Sequence, residues 1–146
     1  RDRGNSVAAL ALLRLARLTG KREYEERGRG ALGAAASALA RVPAAAPHML
    51  IAADFQLSTP MAVVIAGKRD AADTKRLIET VYRSFLPNKV VAARRADTKT
   101  IGRELALLRG KIPVNGKATA YVCQNHTCRM PTTDPHEFAR LVGVEQ

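Results

Sequence analysis

A chain of 146 residues with 47% hydrophobic side chains is long enough for one sizeable core or two small ones. With 4% aromatics and no Trp, the packing must come from Ala, Leu, Val and Ile; no apolar run approaches the roughly 20 residues of a membrane span, and "RDRGNSVAAL" lacks the plan of a signal peptide. The net charge of +11 invites a nucleic-acid partner, but the 24 Lys and Arg are spread along the chain and alternate with acids in "KREYEERGR", which disfavours that reading.

Two cysteines cannot build a disulfide framework, so a reducing, cytoplasmic setting is the default expectation. The first residue is Arg1 and a helical pattern begins almost at once, which reads as a piece of a longer protein.

Asn5 or Ser6 is placed to cap a helix whose body, "VAALALLRLARL", is apolar almost all round and therefore expected to be buried. Gly20 suits the left-handed position that ends it. A second helix is expected from about Lys21 to Ala40, with Tyr24, Ala31, Ala35 and Leu39 inward and small residues permitting close approach. So short a connection between two long helices predicts an antiparallel hairpin. Glu23 with Arg27 and Glu25 with Arg29 form favourably ordered i,i+4 pairs on its wet face. "APHMLIAADFQL" predicts a third helix with Pro47 in its first turn, stopped at Ser58-Thr59-Pro60.

Beyond Pro60 the hydrophobic rhythm changes. "MAVVIA" (61–66), "KVVAA" (89–93) and "ATAYVC" (118–123) are short apolar blocks of the kind buried on both faces of a sheet. Between the first two, Asp70 is expected to cap a helix from Ala71 to Ser84 with Leu77, Ile78, Val81 and Phe85 inward, giving a βαβ unit. A weaker helix is expected near Thr98 to Leu108. In "TDPHEFARLVG", Asp134 is the cap, Pro135 the first helical residue and Glu137 the third, a capping-box arrangement closed by Gly143. The expected class is thus mixed α/β. A helical segment, 1–58, precedes a small three-layer α/β domain, 60–146, with a short, mostly parallel sheet.

Three stretches together, "GNSVAALALLRLARLTG", "FLPNKVV" and "GKATAYVCQNHTCRMPTTDP", resemble the C-terminal region of the thioredoxin-domain-containing proteins related to spermatogenesis-associated protein 20. The resemblance covers essentially the whole chain. It implies that a thioredoxin-like domain and a six-hairpin α/α toroid stand upstream, that residues 1–58 are the last toroid helices, and that the remainder is an appended α/β unit. The family has "PSGNS" where this chain has "RDRGNS", so the approach to the first helix can differ. No activity is attached to the family, and the expected function is a non-catalytic structural portion whose partner is the rest of its own polypeptide. An uncovered helical face would also allow the isolated piece to homodimerise. No cofactor is implied.

Among residues with chemistry, Cys123 and Cys128 stand out. They can pair only if "QNHT" folds back tightly, which Asn125 makes feasible. A zinc site would draw on Cys123, His126, Cys128 and His136, at a spacing unlike that of stable sites. Thiols without chemistry at a strand-to-helix corner are the favoured reading, with redox use as the rival. If all three strands were parallel, Lys68 and Arg69, Arg94 and Arg95, and the Cys123 loop would share one sheet edge as an anion-binding rim, against a plainer reading of basic residues solvating loops. Gly67 alone makes no phosphate loop, His48 reads as a partly exposed helix residue, and Asp54, on a buried-looking helix, has no second carboxylate for glycoside hydrolysis.

Overall fold

The computed structural model describes residues 2–96, 105–125 and 127–144. The chain divides into two compact units, Arg1–Pro60 and Met61–Gln146.

The first unit holds three helices, α1 (Asp2–Thr19), α2 (Arg22–Arg41) and α3 (Pro47–Leu57), with a 3₁₀ turn at Pro43–Ala45. Gly20 ends α1 at φ 70°, a left-handed conformation that glycine adopts without steric cost, and donates its N–H to Ala16. The helix begins before Asn5 and Ser6, which lie within it rather than at a cap. It is also less enclosed than its composition suggests: Ala9 and Leu13 are buried, whereas Val7 and Leu15 are exposed. Gly28 explains the close fit of α2 on α1. A Cβ there would meet Leu13 Cγ at 2.9 Å and the Ala9 carbonyl at 3.3 Å. The core gathers Ala9, Met49 and Ala52, with Ala31, Ala35 and Leu39 packed against them. On the wet face of α2, Glu25 pairs with Arg29, and Arg22 pairs with Glu26 at 2.7 Å.

The second unit runs β1 (Met61–Gly67), α4 (Ala72–Arg83), β2 (Lys89–Arg95), a 3₁₀ turn at Ala106–Leu108, β3 (Thr119–Gln124), β4 (Thr127–Cys128) and α5 (Pro135–Leu141). The apolar blocks became strands as expected. The helix expected near Thr98–Leu108 lies mostly outside the described residues, and its end is the 3₁₀ turn. Strand order is β2-β1-β3-β4. β1 and β2 are parallel, but β3 runs antiparallel to β1 and β4 antiparallel to β3, so the sheet is mixed and not mostly parallel. β1 and β2 are joined through α4, the crossover that parallel neighbours need, whereas β3 and β4 are joined as a hairpin, which turns the chain once.

Strand alternation assigns the faces. Val63 and Ile65 of β1 and Ala120 and Val122 of β3 join Leu77 and Val81 of α4 and Phe138 and Val142 of α5 in one core. Both helices thus pack on the same face. Among the described residues, the segment 105–117 lies against the opposite face. Tyr121 Oη donates to the Ile112 carbonyl at 2.6 Å, Thr119 Oγ1 accepts from Val114 N–H, and Arg94 Nη1 donates to the Leu108 carbonyl at 2.7 Å. Phe85, expected inward, is 91% exposed, because α4 ends at Arg83 and extended backbone at Ser84 takes the chain off the helical phase.

Both ends of α4 are tied by side chains to other parts of the unit. Asp70 does not cap α4; Asp73, in its first turn, accepts from Thr74 N–H and from Ala118 N–H, each at 2.8 Å, so it ties the helix start to the approach of β3. At the other end, Lys89 Nζ donates to the Val81 and Ser84 carbonyls at 2.8 and 3.1 Å, supplying the donors that the last turn lacks. Asp134 caps α5 as expected, accepting from His136 N–H. Glu137 reaches back to the Thr132 hydroxyl, which in turn accepts from Asp134 N–H.

Candidate functional site

The two cysteines are joined. Cys123 and Cys128 form a disulfide, with Cα atoms 3.9 Å apart, and they are directly opposite one another in the β3–β4 pairing. This overturns the favoured reading of two thiols without chemistry. The local sequence explains how the pair meets. Asn125 sits at φ 49°, the left-handed conformation that its short polar side chain tolerates, and it turns the chain within a few residues. Arg129 N–H donates to the Val122 carbonyl at 2.9 Å, so the hydrogen-bonded step lies one position away and the cysteines occupy the narrow, non-hydrogen-bonded step. Cα atoms are closest at such a step, which is where two facing sulfurs can join across strands.

The pair is asymmetric. Cys123 lies on β3 and is 7% exposed; Cys128 lies on the outermost strand and is exposed. By alternation, Cys123 shares a face with Tyr121 and Thr119, the residues that pin the 105–117 segment. Beyond the hairpin the chain continues along β3, with Ala120 and Thr132 exchanging N–H to carbonyl bonds at 2.8 and 3.0 Å. Cys128 is therefore held in place from both sides of the sequence, by the turn and by this bridge.

A bridged pair removes two thiolates from any zinc set. Of the other candidates, His136 is exposed in the first turn of α5, and His126 lies outside the described residues. Among the described residues no group of three or more His, Cys, Asp and Glu gathers.

The shared rim does not form. Cys123 pairs with Ala62 at the start of β1, whereas Arg94 and Arg95 pair with Ala66 and Gly67 at its end. The antiparallel course of β3 thus puts the disulfide and the arginines at opposite ends of the sheet. Nor do the four cations converge. Arg94 and Arg95, as neighbours on a strand, face opposite sides, and Arg94 is engaged with the Leu108 carbonyl. Lys68 and Arg69 are exposed in the loop after β1. The start of α4 beside them already receives negative charge from Asp73. The Ala118 hydrogen bond holds the Asp73 carboxyl below the usual carboxylate range, against a smaller opposing effect of burial.

In the helical unit, Asp54 and His48 are both exposed, against the expectation of a buried-looking position for Asp54. A groove of about 460 Å³ opens there along α2, lined by Ala31, Ala35, Ala38, Leu39, Val42 and Met49 among others. Sequence reasoning gave no warning of it, because a run of small residues reads equally as a tight interface or as an unfilled one. No described helix is long and apolar enough to cross a membrane.

Neither a family model nor a solved structure matches this chain. The chain is similar to spermatogenesis-associated protein 20 of Homo sapiens, 38% identical over 139 residues, which is 94% of this chain and 18% of that protein. The same protein of Rattus norvegicus is 37% identical and that of Mus musculus 36% identical over the same length. The chain is homologous to that part of these proteins, and it spans less than a fifth of their length.

Proposed function

We propose that this chain is the non-catalytic, C-terminal structural portion of a larger cytoplasmic protein, in which a thioredoxin-like domain and an α/α toroid precede it. Residues 1–58 complete the wall of the toroid, and the α/β unit is an appendage. The observation that carries this reading is the uncovered apolar surface of the helical unit. Val7, Leu15, Leu50 and Ile51 are exposed, Leu57 is 86% exposed, and the Ala-lined groove of α2 is open. Burial of such surface stabilises by about 25 cal/mol per Å², so a helical unit with this composition gains from neighbouring helices. The homology to a small part of much longer relatives supports the same reading.

The test is self-association of the chain by itself. Light scattering across a hundredfold concentration range is expected to show reversible dimerisation through the helical face, as a substitute for the absent neighbours. Leu57→Lys combined with Ile51→Lys is expected to abolish it. A chain that stays monomeric and binds no hydrophobic dye would remove the support for this reading.

A further inference from the structure

The disulfide has features that a mere staple does not require. Only four residues lie between the cysteines, so the loop it closes is short and restrains the unfolded chain little. The hairpin is already defined without it, by the turn at Asn125, the Arg129–Val122 hydrogen bond and the Ala120–Thr132 bridge. One sulfur is carried by an exposed residue at the sheet edge and the other by a buried one. We propose that Cys123–Cys128 is a thiol–disulfide exchange site for a protein dithiol, with Cys128 the sulfur attacked and Cys123 the leaving group.

Exchange requires a thiolate to approach in line with the S–S bond, from the side opposite the departing sulfur. Cys128 is the exposed residue of the pair and Cys123 the buried one, and on that difference the incoming thiolate is assigned to Cys128. β4 is a two-residue edge strand, and among the described residues its outer side pairs with no other strand. An extended segment of the partner, flanking its reactive thiol, can therefore add along it. In the first step a partner thiolate bonds to Cys128 Sγ, the Cys123–Cys128 bond breaks, and Cys123 leaves as a thiolate that takes a proton from water. In the second step the partner's other thiol attacks its own mixed disulfide, and Cys128 departs as a thiolate to be protonated. Two electrons pass from the dithiol to the pair, and the partner is left as the disulfide. Because the backbone contacts of the hairpin persist, the two thiols remain opposite one another and the site can reclose.

The experiment uses the oxidised chain with glutathione as the probe. After an acid quench, peptide mapping is expected to find the mixed disulfide on Cys128 in about tenfold excess over Cys123. In the free-thiol variants, Cys123→Ser is expected to react with an aromatic disulfide about ten times faster than Cys128→Ser. Circular dichroism of the fully reduced chain is expected to match that of the oxidised chain. Glutathione found mainly on Cys123, or loss of the sheet on reduction, would overturn the proposal. The last outcome would identify a staple.

Discussion

Asp73 shows how one side chain can connect distant parts of the α/β unit. Its carboxylate is exposed, yet it accepts from the N–H of Ala118, 45 residues further along, and from that of Thr74. The charged form is the better acceptor, and so the folded carboxyl titrates below its unfolded value of about 4. A lowered folded pKa stabilises the fold fully above the unfolded value, and that contribution disappears as pH falls through the folded one. Asp73→Asn is expected to cost about 1 kcal/mol at pH 7, a modest figure because solvent screens the group. Urea melts are expected to show the gap between variant and wild type narrowing steadily below about pH 4. A gap of constant size down to pH 2.5 would mean that the charge contributes nothing.

At the scale of elements, helix ends and strand directions decide the site. α4 is closed at its C-terminus by Lys89, a residue of the next strand, whose ammonium also lies 5.7 Å from the centre of the Tyr82 ring. Partial burial pulls the pKa of this ammonium down from its ordinary value, while the two carbonyls give it acceptors. Lys89→Met keeps the aliphatic stem and removes the donors, and is expected to destabilise by about 1 kcal/mol, read as a lower urea midpoint with unchanged slope. Stability equal to wild type would show that water serves those carbonyls as well. Strand direction has the larger consequence. The four cations and two cysteines were legible in the sequence as polar ends of apolar blocks, but their sharing of one edge depended on β3 running parallel, and it runs antiparallel. A six-residue block carries no mark of its direction, which is set by how the intervening segment returns.

For the molecule as a whole, the two cores are made by different residues. One gathers Ala9, Met49 and Ala52, and the other gathers nine residues between Val63 and Val142. Damage to one is therefore expected to leave the other standing. Gly28→Val puts carbon where Leu13 and the Ala9 carbonyl already sit, an overpacking expected to cost about 1–3 kcal/mol. Hydrogen exchange is expected to quicken in α1–α3 and to stay unchanged in β1 and β3. Equal acceleration in both units would show that they unfold as one. The proposed association through the helical face belongs to the same scale, since it follows from a unit whose apolar surface exceeds what its own three helices cover.

The sequence by itself determined where α1 to α5 and β1 to β3 lie, because the period of apolar residues and the turn chemistry at Gly20, Pro47, Pro60 and Asp134 are local properties of the chain. It also marked Asn125 as the residue able to fold the cysteine loop back. Tertiary structure alone decided the direction of β3, the joining of Cys123 to Cys128, the use of Asp73 in place of Asp70, and which apolar residues remain in water. The disulfide needed the β3–β4 register on top of a local turn; the others depend on the registry of segments far apart in the chain, and a sum of local preferences contains no term for that registry.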